Sequence, residues 1–117
     1  IPLKLVGLVS SLSEVGELLD HRNRSETVRR MGRIEGSIDD YWMRNRKYPA
    51  SLSDLGEPSL ETSDGWGRRF DYTVNGQGPR ATWKLVSLGA DGQPGGDGLD
   101  ADLERGTEQS SAYDLFR

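Results

Sequence analysis

Chemistry in this chain is concentrated in one segment, Leu88-Gly89-Ala90-Asp91-Gly92-Gln93-Pro94-Gly95-Gly96-Asp97-Gly98-Leu99-Asp100-Ala101-Asp102, which holds four aspartates and five glycines in fifteen positions. Hard cations such as calcium take six to eight oxygens from carboxylates and backbone carbonyls, and glycines let a backbone fold tightly enough to aim both. Asp91 and Asp102 stand eleven apart with Gly96 between them, the spacing of positions one, six and twelve of an EF-hand loop. The EF-hand reading fails nonetheless: Gln93 and Gly95 occupy positions three and five, the twelfth residue is Asp, and a strand leads in where a helix would be needed. On spacing alone, a calcium loop and a flexible acidic loop both stay open.

Other chemistries are poorly supplied. With no cysteine and one histidine, the chain has no disulfides, iron–sulfur ligands, thiolate zinc sites or cysteine nucleophile, and no poly-histidine metal site. Ser10, Ser11 and Ser13 with Asp20 and His21 contain the residue types of a hydrolase triad, but no nucleophile-elbow pattern surrounds them. His21 has no partner at ligand spacing and is expected on the surface. The chain is therefore expected to have no enzyme activity.

The acidic segment needs a scaffold, and the alternation of Arg69-Phe70-Asp71-Tyr72-Thr73-Val74 predicts a strand leading toward it. Asn75-Gly76-Gln77-Gly78-Pro79 is turn material, and Thr82 to Leu88 reads as the returning strand, so the acidic segment leaves directly from an antiparallel hairpin. A lone hairpin is marginal in water, which calls for a third strand or a helix against it. Residues 3 to 20 carry Leu5, Leu8, Val9, Leu12, Val15 and Leu19 at helical spacing, and Ser25 is a plausible N-cap for a second stretch with the stripe Val28, Met31, Ile34, Ile38, Tyr41 and Trp42. Pro49 should end it near Lys47. Whether these are one helix or two is open. Residues 50 to 55 suit a short helical turn, Gly56 to Asp64 a loop, and residues 103 to 117 are too polar to assign. The pattern predicts an α+β fold.

Length and charge set the remaining bounds. The 117 residues, 33% apolar, make one domain with a thin core. A net charge of -4 divides into +2 over residues 1 to 47 and -6 over residues 48 to 117, which argues against nucleic acid as a partner. Leu3 to Val9 is interrupted by Lys4 and Gly7, far short of the roughly 20 residues that span a bilayer. The cluster of Arg22, Arg24, Arg29, Arg30 and Arg33 is expected to be a solvated helix face. Trp42 is expected in the core beneath the hairpin and Trp66 as the anchor of its loop in that core.

The segment Ser87-Leu88-Gly89-Ala90-Asp91-Gly92-Gln93-Pro94-Gly95-Gly96, followed by Asp100-Ala101-Asp102-Leu103, resembles the C-terminal block of the major pseudopilin of type II secretion systems, a type IV pilin-like family. Tyr48-Pro49, Asp64-Gly65-Trp66-Gly67 and Phe70-Asp71-Tyr72 are similar to family motifs in the same order, and the resemblance runs over about residues 26 to 103. Gly65 departs from it, standing where the family usually has proline. The resemblance implies a single pilin-like domain over residues 1-117, a long N-terminal helix packed against a small antiparallel sheet: a helical segment (1-47), a connecting loop (48-68), a β-hairpin (69-88), a calcium loop (89-103) and a tail (104-117). It implies that Asp91 and Asp102 ligate one structural calcium ion with the backbone carbonyl of Leu88. Asp100 would be the third carboxylate, and Asp97 is a further candidate because loop length varies in the family.

The same resemblance implies a structural subunit of a periplasmic fibre that promotes protein export across the outer membrane. Its partners would be further copies of itself and other pseudopilins, with no nucleic acid and no small-molecule substrate. It would be held in the inner membrane by an N-terminal hydrophobic helix, its domain facing the periplasm. The chain opens at Ile1 without methionine or such a helix, so a processed or trimmed chain is expected. A calcium-stabilised extracytoplasmic binding module, or another pilin-like envelope protein, is the alternative.

Overall fold

The structure is a computed structural model and describes residues 12–107. Its first element is α1 (Leu12–Asn45), 34 residues long, which at 1.5 Å per residue runs about 51 Å. The two predicted helical stretches are thus one helix across His21 to Arg24, as far as the described residues extend. The start of the first stretch, residues 3 to 11, lies outside them. Gly16, Gly32 and Gly36 sit on α1 with open space where a side chain would be, so packing elsewhere on the helix tolerates them. Arg46 ends the helix by entering the left-handed region at φ 55 while its N–H donates to the Trp42 carbonyl at 2.7 Å, an αL cap. The helix stops slightly before the position set by Pro49.

Three antiparallel strands follow: β1 (Asp71–Asn75), β2 (Thr82–Ser87) and β3 (Leu103–Gly106), in the order β1-β2-β3. Tyr72 pairs with Leu85 and Val74 with Trp83, while Leu85 also faces Arg105 and Ser87 faces Leu103. Because strand side chains alternate, this register puts Tyr72, Val74, Trp83, Leu85, Ser87 and Leu103 on one face. That face covers α1, and Met31, Ile34, Ile38, Leu55, Phe70, Trp83 and Leu85 form the buried core. The fold is therefore α+β, a long helix packed on a small antiparallel sheet. β3 supplies the third strand that the hairpin needed, from residues whose polarity concealed it.

Aromatic placement differs from expectation in two places. Trp42 lies outside the core, tilted against Tyr48 at 6.4 Å between centroids, with the Arg46 guanidinium 5.0 Å from its ring. Trp83 takes the central position instead, 2% exposed. A short 3₁₀ turn, Leu52–Leu55, drops Leu55 into the core, and the Tyr72 hydroxyl donates to the Pro49 carbonyl at 2.7 Å. Burial pushes the Tyr72 phenol well above its ordinary value.

The arginine cluster is only partly a solvated face. Arg22, Arg29 and Arg33 are exposed, but Arg30 is part-buried between Glu26, Glu61 and the carbonyls of Ser63 and Asp64. Hydrogen bonds from Arg29 and then Arg30 hold the Glu26 carboxyl down from 4.5 to about 2. A lowered folded value means that this pair's contribution is present above about pH 4.5 and is lost as the pH falls through about 2. In an acid series of melting temperatures, Glu26→Gln should be less stable than the parent near neutrality. The two curves should converge between those limits, and the gap at neutral pH should shrink in high salt because the Glu26–Arg29 contact is exposed.

Candidate metal centre

The acidic loop begins where β2 ends, and the end of β2 is fixed by a buried carboxylate. Asp64, 1% exposed, accepts the backbone N–H groups of Trp66 and Arg68 on Oδ1, both at 3.0 Å, and the Ser87 hydroxyl on Oδ2 at 2.8 Å. It locks its own turn and ties that turn to the last residue of β2. Sequence reading met Asp64 only as part of a motif; an Asp opening a Gly-Trp-Gly turn was the available signal.

The same turn sits directly on α1. The Gly65 N–H donates to Thr27 Oγ1 at 2.7 Å, and Thr27 in turn donates to the Asn23 carbonyl at 2.7 Å. A Cβ at Gly65 would overlap the Asn23 backbone, so the close approach requires glycine. Trp66 is partly buried and donates from Nε1 to Asp20 at 2.9 Å. It anchors its loop to the helix surface and not within the core, which corrects the expectation from its flanking glycines. His21 is exposed, as expected.

From Ser87 the chain turns through Gly89 at φ 79, a left-handed conformation that L side chains rarely adopt. A Cβ there would also lie 2.7 Å from the carbonyl oxygens of Asp100 and Ala101. Gly96, at φ 91, meets the Asp100 carbonyl in the same way at 2.8 Å. Two glycines thus let the limbs of the loop approach carbonyl against backbone, and Ala90 N–H to Leu99 carbonyl, at 2.9 Å, closes its neck.

The five expected ligands are distributed unevenly. Asp102 turns inward: Oδ2 accepts the Gly95 N–H at 3.1 Å, while Oδ1 is buried with no hydrogen-bond partner among the described residues. Asp91 is exposed and accepts the Gln93 N–H at 3.0 Å, which shapes the first turn. Asp97 and Asp100 are exposed and share the last turn, where Asp100 N–H donates to the Asp97 carbonyl at 3.0 Å. Leu88 is partly buried just past β2. Among the described residues no three acidic or histidine side chains are gathered closely enough to hold a metal ion. The one observation on the side of a hard cation is Asp102 Oδ1, since a buried carboxylate oxygen without a partner is costly and a cation would satisfy it.

Two arginines unforeseen as part of this loop reach it. Arg68 donates from Nη2 to the carbonyls of Gly89 and Ala90, and Arg24 on α1 donates from Nη1 to those of Gly98 and Ala101. They come from 21 to 77 residues away in sequence, which is why local patterns gave no sign of them.

Comparison with a family model matches this half of the molecule. Residues 56–106 match the family model described as Type II secretion system (T2SS), protein G. The chain is also 33% identical over 84 residues to the type II secretion system core protein G of Xanthomonas campestris pv. campestris, covering 61% of this chain and 57% of that relative. The chain thus spans somewhat over half the length of the curated relative it matches. The matched residues run from the loop after the 3₁₀ turn through the Asp64 turn, the hairpin, the acidic loop and β3, and over them the chain is similar to protein G of the type II secretion system, the major pseudopilin.

Proposed function

We propose that this chain is a structural subunit of the type II secretion pseudopilus, assembling with copies of itself and other pseudopilins into a periplasmic fibre that promotes protein export. It would be anchored in the inner membrane by a hydrophobic N-terminal helix. The family match over residues 56–106 carries this reading. A fibre subunit works by shape and docking and not by turning over a substrate, which agrees with a chain whose polar residues are spent on joining its loops to α1. The decisive observation is the gene sequence upstream of Ile1. A hydrophobic segment of about 20 residues behind a prepilin-type cleavage site is expected; a signal peptide with no retained anchor would instead favour a secreted binding module.

We further propose that loop 88–102 holds a structural calcium ion, through Asp91, Asp100, Asp102 and the Leu88 carbonyl, with Asp97 as the remaining candidate. The partnerless Oδ1 of Asp102 supports it. The ion would supply positive charge at a place where carboxylates at close range otherwise repel one another. Asp102 is the residue already turned inward, Gly89 and Gly96 allow the limbs to meet, and the Asp64–Ser87 bond fixes the strand from which Leu88 emerges.

An ion bound only by the folded loop adds stability as RT ln(1 + [L]/Kd), about 2.7 kcal/mol at a hundredfold excess over Kd. Transfer from millimolar calcium to EGTA should lower the melting temperature by roughly 10 °C or more for a domain of this size. Asp102→Ala should melt at one temperature in both buffers. Identical melts of the parent with and without calcium would remove the metal from this reading and leave the fibre untouched.

A further inference from the structure

Loop 89–102 contains four aspartates and no Lys or Arg, yet it lies closed against the rest of the domain. The cations that face it come from elsewhere, one to each limb. On the first limb, Arg68 donates to the carbonyls of Gly89 and Ala90, the latter at 3.2 Å. Its guanidinium lies so near Gly92 that a Cβ there would be 2.9 Å from Cζ. On the second limb, Arg24 donates to the carbonyls of Gly98 at 3.2 Å and Ala101 at 3.5 Å. Between these points the Ala90–Leu99 backbone bond joins the limbs.

We propose that Arg24 and Arg68 form a two-point clasp that keeps this loop closed, and seated on α1, without bound metal. A guanidinium offers several donors in a fixed plane and can bridge two carbonyls at once, where an ammonium acts as a point charge. Both bridges here are charge-assisted, and both place positive charge beside an acidic loop. Arg68 ties the loop to the Asp64 turn, from which it emerges, and Arg24 ties it to the helix. The loop therefore reaches any ion already closed at its neck, with only its carboxylates left to gather. The clasp concerns the loop of the calcium reading but requires no calcium, so either can fail alone.

Amide hydrogen exchange on the described chain in EGTA tests it residue by residue. Arg68→Gln should speed exchange about tenfold or more at Ala90 and Gly92, and Arg24→Gln should do so at Asp100 and Ala101. The helix amides of Ile34 and Ile38 should stay at the parental rate in both variants. Parental rates at all four loop amides would overturn the clasp. So would a uniform acceleration that includes Ile34 and Ile38, because that would be general destabilisation. Arg24 lies at the rim of the loop, so its variant folds even if Arg68→Gln does not, and its arm alone can overturn the proposal. Calcium added to the same samples reports separately: no change at any loop amide removes the ion, while the mutational pattern still stands for the clasp.

Discussion

Asp64→Ala is expected to cost roughly 3–4 kcal/mol. Three donors converge on that carboxylate, the N–H groups of Trp66 and Arg68 and the Ser87 hydroxyl. Removing it leaves them short of an acceptor in a site that is 1% exposed. Each buried donor left without a partner costs about 1–3 kcal/mol, and the three share one acceptor, so their losses do not simply add. The melting temperature should fall by roughly 15–25 °C. Asp64→Asn separates hydrogen bonding from charge. Its carbonyl oxygen still accepts the two N–H groups, and the Ser87 hydroxyl can rotate to accept from the amide, so at least half of the lost stability should return. Equal damage from Ala and Asn would show that charge, and not the three-way bond, holds the turn.

The second large effect is at Gly65. Gly65→Pro would bring in the proline of the motif that this turn resembles and is expected to destabilise this chain by roughly 3 kcal/mol or more. Proline has no N–H to give to Thr27 Oγ1, which is now the acceptor of a 2.7 Å bond. Its ring also occupies the Cβ position that already overlaps the Asn23 backbone. Gly65→Ala keeps the N–H and meets only the overlap, so it should fall between the parent and Gly65→Pro in chemical denaturation. If Gly65→Pro melts at or above the parent, the turn does not sit on α1 as described. The departure from the family motif is thereby given a physical reason: here the turn approaches the helix more closely than proline permits.

These two residues show where sequence reading stops. The β1–β2 hairpin was legible because alternation over Arg69 to Val74 and Thr82 to Leu88 is a local signal with one dominant interpretation. The helical stripe at Met31, Ile34 and Ile38 was legible for the same reason. β3 was hidden because a four-residue edge strand, Leu-Glu-Arg-Gly, carries a single apolar side chain. Trp42 continued the stripe on paper, but the helix turns it toward Tyr48 and Arg46, and a strand residue, Trp83, fills the centre. At the acidic loop, composition pointed to fifteen residues. It could not indicate that Asp102 turns inward while Asp97 and Asp100 face solvent, because that depends on how closely Gly89 and Gly96 bring the limbs together. Arg24 and Arg68 reach the loop from 21 to 77 residues away, and Asp64 reaches Ser87 from 23 away besides closing its own turn, so no short window along the sequence contains both members of those pairs.

The bonds between α1 and the rest of the domain also define how the molecule bears force. They are spread along the helix in sequence: Asp20 to Trp66, Thr27 to Gly65, Arg30 to the carbonyls of Ser63 and Asp64, and Ser37 to Glu57 at 3.1 Å. A pull along the helix axis loads these attachments together, in shear, whereas a pull across it would break them one after another. Resistance to axial load is then governed by the rate at which the whole row lets go at once, which makes this helix the stiff member of a beam with the connecting loop, residues 57–66, riveted along its side.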